Sequence, residues 1–240
     1  MTFFNYIKVC LLSLLIFGAG FNASATHLAA ADIHVDYVPT KSPYTYRITL
    51  NVYKSCEYTI NPGGDTSYSA DLVDETTLTW ASASGCLPGN SIIMRDPIKD
   101  TLDQLCDSFK AKNSCRDIFS IFPAFVRHRW VIEVELPGAC PDWIFSWILG
   151  NRNDKIKNLQ LPDSWSLLVD AMINNSKKAR VSTPRYTIDP IPYFCGNYRA
   201  SFPNGPMDPD NDSMVSINAN PRGPGPIPYN CLPPSFSIKF

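Results

Sequence analysis

Between Val126 and Leu136 the chain alternates without interruption. Val126, His128, Trp130, Ile132, Val134 and Leu136 fall on one parity, and Arg127, Arg129, Val131, Glu133 and Glu135 on the other. Successive side chains of a strand point to opposite faces, so a period of two over this length reads as a half-buried β-strand whose outer charges stay in water. Tyr44, Tyr46, Ile48, Leu50 and Val52 repeat the pattern against Thr45, Arg47, Thr49 and Asn51. Trp143, Phe145, Trp147 and Leu149 do so again, as do Trp165, Leu167, Val169 and Ala171, and Ile33, Val35 and Tyr37. The turn-rich piece Pro137 to Asp142 reads as a hairpin or a sheet-crossing loop. Helical periodicity is weak, and Ile98 to Lys112 is the one stretch that predicts a short helix. With 21 prolines in 240 residues, long helices and α/β winding are disfavoured. The expected fold is all-β, an antiparallel β-sandwich.

Composition narrows the function classes. The chain is 45% hydrophobic and only 18% charged, so it has the apolar content to fold. Its 21 basic and 22 acidic residues leave no cationic surplus to neutralise phosphates, which argues against nucleic acid as a partner.

The first 25 residues read as an address. Lys8 is followed by the apolar run Val9 to Phe21 and then by Ala23-Ser24-Ala25, the three regions of a secretory signal peptide cut after Ala25. That run is too short to span a bilayer as a helix, and no later segment is apolar for long enough. Cleavage removes Cys10 and leaves seven of the eight cysteines. Export would place them where disulfides persist, and their odd number leaves at least one unpaired or pairing outside the chain. No spacing among them makes a zinc site. Cys106 and Cys115 bracket a short polar stretch and are candidates for a local bridge. Cys195 and Cys231 are expected to pair with each other, or with Cys56 or Cys86.

After residue 183 the composition shifts. Twelve prolines lie in the 57 residues from Pro184 to Phe240, with few strand signals: Tyr198 to Phe202, Met214 to Ile217 and Ser235 to Phe240. The expected organisation is a signal peptide (1–25), a β-sandwich domain (26–183) and a proline-rich, incomplete second β module (184–240).

Several blocks resemble one family in the correct order. They are Thr26-His27-Leu28 with Ala31 to His34, Tyr46 to Cys56, Val131 to Leu136, Cys140-Pro141-Asp142-Trp143 with Phe145-Ser146-Trp147, Ile191 to Cys195, and Asp208 to Met214. Together they resemble the mature N-terminal region of gliding-motility-associated, adhesin-like exported surface proteins of gliding bacteria. The resemblance implies Ig- or cadherin-like modules, export by the type 9 route and a role in adhesion. The family's paired cysteines after the tryptophan block stand here as Leu149-Gly150, which implies that Cys140 lacks its usual partner.

Candidate chemistry is sparse. There is no nucleophile elbow, zinc-protease motif or phosphate loop. His128 falls on the inner face beside Trp130, as a buried histidine does. Glu133 and Glu135 sit about 7 Å apart on one strand face, a spacing a glycosidase pair can use, although solvating charges are the simpler reading. His27 and His34 can bind a metal with Asp32 or Asp36. Trp143, Trp147 and Trp165 read as core, leaving Trp80 as the candidate for stacking on a sugar. Asp208, Asp210, Asn211, Asp212 and Ser213 gather hard oxygens of the kind Ca²⁺ takes, and no lysine or arginine between Arg199 and Arg222 offsets their charge. Acidic loops of this kind bind calcium in cadherin-like modules. The competing reading is a solvated turn fixed by Pro209.

The function expected from this reading is a non-enzymatic, exported structural or adhesive β-module of a bacterial cell surface. Its partners would be other surface-protein modules or surface glycans. The alternative is a secreted, lectin-like module that binds carbohydrate or another ligand.

Overall fold

The computed structural model describes residues 28–56, 58–60, 66–68, 74–102, 105, 107, 109–117, 119–122, 124–150, 152, 160–178, 180–189 and 205–215. The strands in chain order are β1 (Leu28–Tyr37), β2 (Thr45–Ser55), β3 (Tyr58–Ile60), β4 (Thr66–Tyr68), β5 (Glu75–Ser82) and β6 (Asn90–Arg95). They continue as β7 (Ile98–Leu102), β8 (Phe125–Glu135), β9 (Trp143–Leu149), β10 (Leu167–Ile173), β11 (Arg185–Tyr186) and β12 (Pro206–Met207). Two four-stranded antiparallel sheets, ordered β1-β2-β8-β7 and β10-β9-β5-β6, make a β-sandwich.

Each alternation found in the sequence turns one parity inward. From the first sheet come Val35, Tyr46, Ile48, Leu50, Val52 and Trp130; from the second, Leu78, Phe145, Trp143 and Trp147. All ten are essentially inaccessible. Burying a side chain such as Ile48 or Leu50 contributes about 1.5–3 kcal/mol, so the facing rows hold the two layers together. Two of the buried indoles find acceptors: Trp147 Nε1 donates to Thr76 Oγ1 at 2.7 Å, and Trp143 Nε1 to the Gly138 carbonyl at 3.2 Å, whereas Trp130 Nε1 is buried without a protein partner.

The chain crosses between sheets by short, rigid devices. Asp96, at φ +51°, and Pro97 turn β6 of the second sheet into β7 of the first. Residues 136–142 carry β8 into β9 of the other sheet, so the connection crosses sheets and is no hairpin. The helix expected over Ile98 to Lys112 does not form. Ile98–Leu102 is instead β7, paired to β8, and Lys110–Lys112 is a single 3-10 turn. Edge pairing to a long neighbour outweighs the weak helical pattern.

Two disulfides join pieces distant in sequence. Cys56, just past β2, bonds Cys115 in the β7–β8 connection, and Cys86 in the β5–β6 loop bonds Cys140 in the sheet-crossing loop. The local Cys106–Cys115 bridge is therefore corrected, because the β2–β8 register carries Cys56 to within a Cα separation of 4.9 Å of Cys115. Cys140 is likewise not partnerless. With Cys56 and Cys86 occupied, neither can bridge to Cys195 or Cys231. Cys106, Cys195 and Cys231 lie outside the described residues, as do His27 and the expected strands at Tyr198 to Phe202 and Ser235 to Phe240.

The edge of β1 is covered. Thr183 donates its backbone N–H to the Val35 carbonyl at 2.8 Å and accepts the Val35 N–H on Oγ1 at 2.9 Å. Ser182 Oγ accepts the Tyr37 N–H at 3.2 Å. Residues 184–189 thereby follow the first sheet, and β11 among them pairs with β12.

Candidate functional site: a polar cleft on the outer face of the first sheet

The outward parity of the first sheet carries an unusual set of side chains. Register places Asp32 beside Asn51 and Arg129, and Ala30 beside Tyr53, Arg127 and Asp100, so residues from four strands share one face. The segment after β1's edge cover turns over that face and supplies Tyr186, Ile188 and Asp189. Together they bound a cleft of about 360 Å³ lined by Asp32, His34, Asn51, Tyr53 and Arg127.

Asp32 is its anchor. His34 Nε2 and Asn51 Nδ2 each donate to Asp32 Oδ1 at 2.8 Å, and the Tyr53 hydroxyl also bonds the carboxylate. Burial alone would raise the Asp32 pKa, but these donors and the charge of His34 hold it below the ordinary carboxylate range. The same burial and the nearby carboxylate push the Tyr53 phenol well up, so it remains a donor. Arg127 is forked between two carboxylates, Asp189 at 2.7 Å and Asp100 at 3.1 Å. Its bond to Asp189 ties the roof to the sheet.

The hydrogen-bonding is incomplete. His34 Nδ1, Asn51 Oδ1 and Arg127 Nε are buried without a protein partner, and Asn51 is only 7% exposed. Polar atoms of this kind are uncommon in folded proteins and cost free energy until satisfied. A second basin of about 350 Å³ adjoins the first, shares His34, Asn51 and Arg127 with it, and extends past Thr49 towards Arg47, Arg129 and Arg185.

The acidic loop is brought together, but in a form the sequence does not predict. Asp208, Asp210 and Asp212 each have an oxygen within 4.8 Å of the others. Asp208 Oδ1 accepts the backbone N–H of Asp210 at 2.7 Å and of Asp212 at 3.4 Å, and Asn211 sits at φ +59°. Asp210 Oδ2 accepts the Ser182 N–H at 2.5 Å, and Lys178 Nζ lies 3.4 Å from Asp212. The offsetting cation missing from the local sequence thus arrives from the strand-edge segment. The carboxylates are hard donors of the type Ca²⁺ takes, yet they make at most part of its shell of six to eight oxygens. Asp208 already accepts N–H groups within the loop, and Asp210 fastens the loop to β1's edge cover through Ser182.

Other candidates resolve more simply. Trp80 is a correction: at 7% exposure it lies in the core and offers no stacking surface. Trp165 is half-buried, its Nε1 donating to the Gln160 carbonyl at 2.9 Å. Glu133 pairs with Lys41 and with Arg47, which hold its carboxyl below the usual range, so it lies in a surface ion-pair cluster and lines neither basin. His128 is buried beside Trp130 on the inner face. His34 does pair with Asp32, as the metal reading allowed, but the carboxylate is filled by hydrogen-bond donors. Asn51, Tyr53, Arg127, Asp100 and Tyr186 escaped the sequence reading. The available signal was the type of residue on the outer parity, where Asp, His, Asn, Tyr and Arg stand together in place of isolated solvating charges.

The chain matches no protein-family model, no curated protein and no solved structure. The site's own geometry is what bears on its role.

Proposed function

We propose that this chain is a non-enzymatic, exported adhesive β-module of a bacterial cell surface. The observation that carries the reading is the outer face of the second sheet. Ile93 of β6, Ile148 of β9 and Met172 of β10 share that face, each half or more exposed. Ile144 and Leu168 lie between them, partly buried. Apolar patches on folded proteins mark contact surfaces, here of the kind that seats a neighbouring module. Two disulfides linking distant segments support assembly in an oxidising compartment. Among the described residues no helix is long and apolar enough to cross a membrane. The family resemblance and the secretory leader point the same way, towards adhesion or gliding.

The test uses the full, oxidised chain coupled to beads and offered to cells of the source organism, beside antibody staining of intact cells. Surface staining and retained cells are expected, with retention reduced at least fivefold by Ile148→Lys/Met172→Lys. Unstained intact cells, or beads that retain none, would end the reading. The lectin-like alternative draws on a different observation, the polar cleft of the first sheet.

A further inference from the structure

We propose that the arginine-lined basin on the outer face of the first sheet binds an acidic saccharide, whose carboxylate or sulfate group is taken by Arg47, Arg129 and Arg185. The inference goes beyond the adhesive reading, which rests on the other sheet. Three features carry it.

The first is what the basin offers to a ligand. Thr49 of β2 lines it, flanked in register by His34 of β1 and Val131 of β8. Arg47 lies two residues along β2, Arg129 stands on β8 opposite Asn51, and Arg185 comes from β11. Arginines from three elements thus line one depression of about 350 Å³. Solvent reaches them: the Arg47 side chain is 52% exposed and that of Arg129 36%, and Arg185 is exposed.

The second is the placement of charge and of donors. Glu133 pairs with Arg47 and Lys41, Asp100 with Arg127 at 3.1 Å and Arg129 at 3.5 Å, and Asp189 with Arg127. Asp32 is met by His34, Asn51 and Tyr53, and Asp36 stands opposite Arg47. Lys41 and the four arginines therefore balance five carboxylates across this face, which gives it no general attraction for polyanions. Only Asp36 of those carboxylates lines the basin, however, against Arg47, Arg127, Arg129 and Arg185. A guanidinium carries five N–H donors and no acceptor. Arg47 commits Nε and one terminal nitrogen to Glu133, Arg129 makes one long contact, and Arg185 makes no ion pair among the described residues. The spare donors call for a ligand made of acceptors, and a carboxylate or sulfate matches the guanidinium fork in bidentate fashion.

The third is the surface around those donors. Ile98 and Val131, each about half exposed, line the same basin and give the C–H face of a sugar ring an apolar bed. A few polar groups set in apolar lining is the usual make-up of a small-ligand site. Thr49 adds a hydroxyl within the basin, and Tyr186 adds an exposed ring and hydroxyl at the adjoining cleft. The two share His34, Asn51 and Arg127, so an oligosaccharide can run from one into the other along the sheet.

The experiment is a printed array of uronate, sialylated and sulfated oligosaccharides beside their carboxyl-reduced or desulfated counterparts, with polyglutamate spots included. It is probed with the full oxidised chain displayed as a tetramer. Wild type is expected to bind acidic structures and to bind their neutral counterparts at least tenfold more weakly. Arg185→Gln and Arg129→Gln should each weaken binding at least tenfold at unchanged melting temperature, whereas Arg95→Gln, which removes a surface arginine of β6, should leave it intact. Arg185 is exposed, so its replacement keeps the test valid if Arg129→Gln fails to fold. A blank array, equal binding to the neutral counterparts, or equal binding by wild type and Arg185→Gln would each overturn the proposal. So would an equal loss in Arg95→Gln, binding confined to polyglutamate, or full competition by millimolar sodium sulfate. The bead assay runs alongside: beads that hold cells while the array stays blank sink the saccharide alone. Beads that hold no cells sink the adhesive reading whatever the array gives.

Discussion

His128 is held by burial on the inner face of β8, with Lys99 and Lys54 adding unfavourable positive charge and only Asp74 opposing them, which lowers its pKa to about 4. Its ordinary value is near 6.5, so between pH 6.5 and 4 the unfolded chain takes up a proton that the folded chain refuses. Stability should therefore be unaffected by this group above pH 6.5 and fall as pH drops towards 4, by an amount on the order of 3 kcal/mol. Urea unfolding at steps through that range should show the slope, and His128→Gln should flatten it. Gly89 makes a prediction of a different kind. A Cβ there would stand 2.4 Å from the Trp80 carbonyl oxygen and 2.9 Å from the Ala81 Cβ, where β6 begins opposite Trp80. Since backbone must yield, Gly89→Ala should cost about 1–3 kcal/mol, measured as a lower urea midpoint at unchanged slope. Neither effect is legible from the residue alone. A histidine on an apolar parity announces burial, but the two lysines that depress it come from other strands.

At the scale of elements, the sandwich depends on fastenings between segments that its sheets do not pair. The Cys86–Cys140 bridge spans 54 residues and ties the β5–β6 loop to the crossing between β8 and β9. Asn175 fixes the same crossing from the far end of β10: its Oδ1 accepts the Cys140 N–H at 2.7 Å and its N–H donates to the Cys140 carbonyl at 3.1 Å. Closing a loop of that length contributes about 4 kcal/mol in the chain-entropy model, so Cys86→Ser/Cys140→Ser should lose stability of that order in equilibrium unfolding. A loss below about 1 kcal/mol would show that the crossing is held by Asn175 and the core alone. β1 raises the second question of this scale. An exposed edge strand invites pairing with other chains, and here Ser182 and Thr183 blunt it, partly with hydroxyls. Asp210 secures Ser182 in turn. Asp210→Ala should cost about 1–3 kcal/mol and bring limited proteolysis to residues 205–215 before the sandwich is cut.

For the molecule as a whole, the acidic loop works as a tie between the proline-rich segment and the first sheet, balanced by Lys178. Millimolar Ca²⁺ should therefore raise the melting temperature of wild type by no more than that of Asp210→Asn/Asp212→Asn. A selective rise in wild type would restore the cation reading. How much of this was legible follows from range. Parity along β2, β8 and β9 is written in neighbouring residues, because consecutive side chains of a strand must point to opposite faces, and so the all-β class, the buried tryptophans and the inward His128 could be read directly. The pairing of Cys115 with Cys56 could not, since it depends on a register set by eleven paired positions of β2 and β8. Nor could the cleft: Asp32, Asn51, Arg127 and Asp189 are far apart in sequence and meet only because four strands align and a later segment folds back over them. The helix expected near Ile98 failed for the same reason, as a weak local preference yielded to an open edge of β8. The sequence by itself determined which side chains face inward and that the layers are sheets. Only the tertiary structure decided which strands are neighbours, which cysteines bond and which polar groups converge, because those outcomes depend on long-range pairing that no local period encodes.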